Sequence, residues 1–241
     1  MNEAPSIPRI GFFTSPPHPC GYLAAREATT IFADPRVNLS IDTYSWLSAR
    51  GFRRSGTHVY RPDCATCQAC IAVRVAVPEF APRRAHRRTL AINANIEVRR
   101  RPARFELEHF RLYEAYLQAR HPASQMEATS PSAYMSFLTA PWCDTSFYEF
   151  REQGELLAVA VVDHLRDGLS AVYTFFSPQY ATRSLGRFAI LTEIELARAA
   201  GLPWVYLGYW ISECRKMRYK HEYGPLEYFR AGTWSRTEPA L

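Results

Sequence analysis

The sequence predicts an α/β protein of the α+β kind: a small N-terminal domain carrying a cysteine-bearing turn, then a domain built on a mixed, largely antiparallel sheet. Three features predict it. Residues 146–151, 156–164 and 170–176 are apolar runs divided by Gln153-Gly154 and Asp167-Gly168, and Asp-Gly is a strong hairpin signal, so these runs form a meander. Phe105, Leu107, Phe110, Leu112, Tyr113, Tyr116 and Leu117 recur at mostly helical spacing. Cys64, Cys67 and Cys70 fall together between two strand-like stretches, where small metal knuckles are commonly built.

In chain order, a weakly helical stretch follows Cys20-Gly21-Tyr22-Leu23 and ends near the Asp34-Pro35 turn. A short helix is expected over 44–49, a glycine-bracketed loop over 51–56, and a strand over 57–60 that stops at Pro62. Residues 71–77 are rich in β-branched side chains and read as a strand closed by Pro78. Between 83 and 101 come Arg83, Arg84, His86, Arg87, Arg88, Arg99, Arg100 and Arg101, with Glu97 as the one acid. The change of pattern at 99–102 places a domain boundary there, dividing 1–100 from 101–241. A helix follows Pro102, and another starts with Ser130 as cap and Pro131 at its first position. After the meander, Arg183-Ser-Leu-Gly186 opens a helix that runs to Ala200 and ends at Gly201-Leu-Pro203. Of Glu193 and Glu195 on that helix, one carboxylate should face inward. A strand over 204–207, a short helix over 213–219 and a strand over 226–229 complete the chain.

With 241 residues, 47% of them hydrophobic and 22% charged, the chain can bury a core and is not a disordered tail. No apolar run approaches the roughly 20 residues that span a bilayer. Residues 1–20 lack the basic-then-apolar pattern of a secretory leader. A cytoplasmic protein is expected, with no membrane partner and no structural disulfide. Twenty-nine Lys and Arg against 23 Asp and Glu leave a net charge of +6, which favours a polyanionic partner. Cys20 with Cys64, Cys67 and Cys70 offers four thiols, enough for tetrahedral zinc or an iron-sulfur cluster. Buried structural thiols are the other reading.

A helix, a meander, a glycine-opened helix and a further strand form the order of acetyltransferase-like (GNAT-like) folds. There the loop before the central helix offers N–H groups to a phosphate of the donor, and Arg183 and Gly186 occupy that loop. Beyond the fold, Cys20-Gly-Tyr22, Gly51-Phe-Arg-Arg-Ser-Gly56, Tyr60-Arg-Pro62, the Cys64–Cys67–Cys70 triplet, Tyr173-Thr-Phe-Phe-Ser-Pro178, Ser184-Leu-Gly186, Leu207-Gly-Tyr-Trp-Ile211 and Lys216-Met-Arg-Tyr-Lys220 together resemble the arginyl-tRNA-protein transferase family. The triplet and the continuation Ile71-Ala-Val-Arg-Val75 resemble its bacterial, leucine-transferring branch. Leu23 stands where eukaryotic relatives carry a second cysteine, so their cluster ligation is not carried over.

The resemblance implies transfer of leucine from leucyl-tRNA to a protein beginning with Asp or Glu, marking it for degradation. The partners implied are aminoacyl-tRNA and acidic N-termini, not DNA, and the reaction, aminolysis of an ester, requires no cofactor. Tyr209, just past the 204–207 strand, is a candidate proton donor, and Asp163 or Glu193 a candidate proton acceptor. Arg53, Arg54 and Arg74 lie in family motifs and suit the acceptor's carboxylate, because a guanidinium donates two parallel hydrogen bonds. Arg53 and Arg54 are adjacent, so in an extended segment they point opposite ways. Arg83, Arg84, Arg87 and Arg88, with Lys216, Arg218 and Lys220, are candidate phosphate contacts. Three rivals remain: arginine as the donor, an acetyl-coenzyme A-dependent N-acetyltransferase, and a non-catalytic RNA-binding module.

Overall fold

The computed structural model describes residues 9–120 and 130–239; the reading of the first eight residues for a leader lies outside them. The chain begins with β1 (Phe12–Thr14), β2 (His18–Pro19), β3 (Glu27–Ala28), β4 (Thr30–Ala33), α1 (Ile41–Ser48), β5 (Arg53–Ser55) and β6 (His58–Pro62). Strands β1, β4, β6 and β5 form a four-stranded sheet in that order. The helical expectation for 23–34 gives way here, because Ile31 and Phe32 pair with both β1 and β6 and Thr30 pairs with β6, and these β-branched and aromatic residues suit a strand. The 51–56 loop is likewise a hairpin arm: Arg53, Arg54 and Ser55 pair with Tyr60, Val59 and His58. Gly56 turns it at φ +55°, with a space so tight that a Cβ would lie 2.2 Å from the Ser136 carbonyl oxygen.

The remaining elements are β7 (Ile71–Ala76), α2 (Arg84–Ile92), β8 (Glu97–Pro102), α3 (Leu107–Arg120), α4 (Pro131–Leu138), β9 (Thr145–Glu152), β10 (Glu155–His164), β11 (Gly168–Phe176), α5 (Leu185–Ala199), β12 (Trp204–Trp210), α6 (Arg215–Arg218), β13 (Leu226–Arg230) and β14 (Thr233–Ser235). An eight-stranded sheet runs β14-β13-β7-β12-β11-β10-β9-β8. Its pairs are antiparallel except β11 with β12, which are parallel and joined by the α5 crossover. This is the expected mixed, largely antiparallel sheet, and the meander, the glycine-opened helix and the Ser130 cap, which accepts from the Ala133 N–H, stand where the sequence placed them.

The sheet draws strands from both sides of the boundary expected near residue 100. Strand β7 lies between β13 and β12, and β8 spans 97–102 at the sheet edge. The basic run ahead of β8 is in part a helix, α2, whose His86 and Thr89 face inward. One sheet face packs on α5 through Val73, Val75, Leu157, Leu191 and Ile194. The other packs on α3 and α4 through Phe110, Tyr113, Tyr134, Phe147 and Phe175. A third cluster, around Tyr44, Leu47, Phe52 and Tyr206, joins α1 and the small sheet to the large one. Among the described residues no helix is long and apolar enough to cross a membrane.

Candidate functional site

Strands β11 and β12 pair at Gly168, Leu169 and Ser170 with Trp204, Val205 and Tyr206, and part beyond that point. Parallel strands that part expose backbone carbonyls with no ladder partner, and such groups must be satisfied from elsewhere. Arg53 does this. Its guanidinium donates to the Ser170 hydroxyl at 3.0 Å, the Ala171 carbonyl at 2.5 Å and the Tyr206 carbonyl at 3.4 Å. Gly208 makes room for it: φ is +79°, and a Cβ there would sit 3.4 Å from Arg53 Nε.

Glu193, on α5, is 1% exposed, and among the described residues neither of its carboxyl oxygens has a hydrogen-bond partner. Burial pushes its pKa up to about 8, with the Arg53 charge pulling the other way. Near neutral pH burial therefore favours the protonated acid. Asp163, on β10, is wholly buried and paired with Arg54, with Nε–Oδ2 2.6 Å and Nη2–Oδ1 2.5 Å. Thr145 donates to the same carboxylate at 2.7 Å. Arg53 and Arg54 are both buried, and instead of diverging their guanidiniums reach Ser170 and Asp163, cross-strand partners on β11 and β10, with the Arg54 charge offset there by the Asp163 carboxylate. Arg74 is also committed. It donates to Glu227 at 2.9 and 2.6 Å and lies between the rings of Trp204 and Trp234, at 3.6 and 4.3 Å from their centroids.

Tyr209 is 4% exposed. Its hydroxyl donates to the Gly51 and Tyr60 carbonyls at 3.0 and 3.1 Å, and burial first, then Tyr60, raises its pKa well above the ordinary tyrosine range. The phenol thus keeps its proton, already engaged on the protein's own backbone. Lys220 is enclosed as well. It is 6% exposed, its ammonium donates to the Tyr209 carbonyl at 2.5 Å, and burial, then Arg53, lowers its pKa to about 7. A lysine so enclosed does not reach a phosphate. Arg183 is bound to Glu152 at 2.6 and 3.0 Å and to Asn93 at 3.0 Å, which fastens α2 and the meander to the start of α5. Gly186 is explained by packing, since a Cβ would lie 3.2 Å from the Phe176 ring.

Arg83, Arg84, Arg87 and Arg88 are all exposed, and among the described residues none pairs with an acid. Exposed Lys216 and Arg218 lie on α6. His86 stacks on Tyr223 with ring centroids 5.4 Å apart and 5° between planes, so α2 is held against the segment that follows α6.

A pocket of about 600 Å³ opens between the N-terminal strip, the cysteine turn, Tyr209 and the β13–β14 turn. Cys20, Cys64, Cys67 and Cys70 all line it, but each of three sulfurs has its own partner. Cys20 accepts from the Leu23 N–H at 3.4 Å, Cys67 accepts from Arg26 at 3.3 Å, and Cys64 donates to the Thr29 carbonyl at 3.6 Å. Burial, then the neighbouring thiols, pushes Cys70 up to about 12. Among the described residues no three His, Cys, Asp or Glu are arranged to hold a metal ion. This arrangement does not fit a zinc or iron-sulfur site, and no step is derived through one. Also in the pocket wall are Arg61 and Arg230, neither of them among the arginines expected at the acceptor; Arg61 carries a signal in the Tyr60-Arg-Pro62 motif, and Arg230 carries none.

Comparison with known proteins adds the following. Residues 18–88 match the family model described as the N terminus of arginine-tRNA-protein transferase, and residues 108–230 match the model of its C terminus. The chain is 53% identical over 231 residues to an aspartate/glutamate leucyltransferase of Alcanivorax borkumensis, covering 95% of this chain and 96% of that one. It is 49% identical to the protein of the same name from Chromohalobacter salexigens, covering 96% and 95%, and 47% identical to that from Pseudomonas aeruginosa, covering 95% and 97%. Among solved structures, L-PGS from Bacillus licheniformis aligns with a TM-score of 0.46 at 10% identity, over 59% of this chain and 46% of that one.

Proposed function

Because the chain belongs to the arginine-tRNA-protein transferase family, we infer that it is an aminoacyltransferase that moves leucine from leucyl-tRNA to the N-terminal Asp or Glu of an acceptor protein. The observation that carries this reading is the near full-length likeness to aspartate/glutamate leucyltransferases. It outweighs the acetyl-coenzyme A reading, which rests on fold order alone, and the RNA-binding module, which leaves the shared motif set unexplained.

In the reaction the neutral α-amine of the acceptor attacks the leucyl ester carbon, a C–N bond forms, the ester C–O bond breaks, and the proton that the amine loses balances the one with which the ribose oxygen leaves. The ester is already activated, so holding the two reactants together supplies much of the rate. The opening between β11 and β12 is the place proposed for the reacting ends. There Arg53 braces the parted strands and Glu193 is a buried carboxyl whose raised pKa favours the protonated form, so that it can give a proton. The tRNA body is a polyanion, and the unpaired arginines of α2 with Lys216 and Arg218 form the surface that suits it. Product proteins then begin with leucine, which the family resemblance connects with degradation.

The test is incubation with radiolabelled leucyl-tRNA or arginyl-tRNA and peptides that begin with Asp, Glu, Lys or Ala. Label passing from leucyl-tRNA to the Asp and Glu peptides alone supports the reading. Label from arginyl-tRNA alone transfers the case to the arginine donor, and a folded sample that moves neither amino acid overturns it.

A further inference from the structure

The acceptor's acidic side chain needs a cation, and the three arginines expected to supply it are spent. Arg53 satisfies strand carbonyls, Arg54 neutralises Asp163 and Arg74 neutralises Glu227. The pocket beside Tyr209 contains the alternatives. Its volume, about 600 Å³, falls in the ordinary range of small-ligand sites, roughly 300–1,000 Å³, and suits an N-terminal residue with part of the next.

Three guanidiniums line this pocket: Arg26, Arg61 and Arg230. Arg26 is engaged by Glu213 and by the Cys67 sulfur, both at 3.3 Å. Arg61 has no carboxylate partner among the described residues. It gives one N–H to the Arg50 carbonyl at 3.2 Å and lies over the Phe52 ring at 4.9 Å, a stacked position that leaves the donor edge of a guanidinium open to a planar acceptor. Its charge is felt at the Tyr209 phenol. Arg230 is exposed at the β13–β14 turn and likewise has no acid partner among the described residues. The two pocket acids, Glu27 and Asp63, are exposed. Adjacent residues of β12 connect the pocket to the parted strands, since Gly208 abuts Arg53 and Tyr209 forms the pocket wall.

We propose that Arg61 and Arg230 bind the side-chain carboxylate of the acceptor's N-terminal Asp or Glu in this pocket, and so set the enzyme's preference for acidic N-termini. The proposal rests on the transferase reading above and names the acceptor subsite within it.

The experiment compares Arg61→Gln, Arg230→Gln and wild-type protein on two peptides that differ only in their first residue, Asp or Asn. Binding is measured by calorimetry without tRNA, and transfer by labelled leucine at saturating leucyl-tRNA. Losing charge-assisted hydrogen bonds should weaken Asp-peptide binding, and raise its KM, by about 10- to 100-fold, and bring the Asp-over-Asn ratio toward one. Arg230 is exposed, so its variant folds even where the loss of Arg61 from the Phe52 ring disturbs the small sheet. An Arg230→Gln protein that keeps the wild-type Asp-over-Asn ratio overturns the proposal. Wild-type protein that prefers the Asp peptide in calorimetry, loses that preference in the variants, yet transfers no leucine, sinks the transferase reading and leaves the pocket assignment standing.

Discussion

Glu193→Gln isolates one buried proton. In the folded chain the carboxyl's pKa is about 8 against an ordinary 4.5, chiefly through burial. The folded state thus prefers the neutral acid, while the unfolded chain ionises above pH 4.5. Below pH 4.5 both states hold the proton and burial carries no ionisation penalty. From 4.5 to about 8 the unfolded state has one proton fewer, so stability falls as pH rises, by about 1.4 kcal/mol per pH unit. Above pH 8 the loss is complete at about 5 kcal/mol, an upper figure because a relaxing interior admits water. Glutamine has the same shape and no ionisation, so the variant should match wild type near pH 4.5 and exceed it by several kcal/mol at pH 8. Urea unfolding followed by tryptophan fluorescence at half-unit steps from pH 5 to 8.5 reads the difference directly. A stability gap between the two proteins that stays constant over that range would falsify the assignment of a buried neutral acid. If Glu193 also gives a proton in the reaction, transfer by the folded variant should drop by about 10²-fold or more.

Lys220→Met should behave with the opposite sign. The lysine's folded pKa of about 7 lies below its ordinary 10.5, so its cost is complete below pH 7 and fades as pH rises to 10; the variant's advantage in urea melts should be largest near pH 6 and shrink by pH 9. Asp163→Asn leaves the Arg54 charge buried and unpaired, at a cost of about 3–5 kcal/mol. Transfer per folded molecule at low temperature should stay near wild type, and a 10³-fold loss there would return Asp163 to the chemistry. Replacing Arg84, Arg87 and Arg88 together by Gln should weaken tRNA binding and lower the slope of log affinity against log salt by roughly 2–3, with an unchanged slope removing α2 from the tRNA surface. Arg74→Ala should lower the melting temperature through the lost Trp204–Arg74–Trp234 stack and Glu227 pair, whereas an intact melting temperature with lost Asp-peptide binding would restore Arg74 as the acceptor's cation.

Much of the scaffold is legible in residue order, because the forces that make it act over a few positions. The turn at Asp167-Gly168, the Ser130 cap with Pro131, and the helix after Ser184 are set by local backbone chemistry, and the structure has each in place. That one of Glu193 and Glu195 faces inward follows from the period of 3.6, and the fold selects Glu193; the period of 2 fails for Arg53 and Arg54, whose long side chains both reach the Asp163–Ser170 pair. The family motifs, read in order, pointed to the reaction class.

Only the tertiary structure decided what the charged residues do. Arg54 meets Asp163 across 109 positions, and Arg74 meets Glu227 across 153; nothing in either neighbourhood announces the partner. Lys220 reads as a surface cation beside Lys216 and Arg218, yet the chain's return over β12 encloses it. The strand-forming residues of β1 and β4 become a sheet only because β1 and β6 offer edges to β4. Charge, burial and pairing are properties of the space around a side chain. That space is assembled from segments far apart in sequence, which is why Arg61 and Arg230 come to share a pocket wall only after the fold brings the small sheet against the β13–β14 turn.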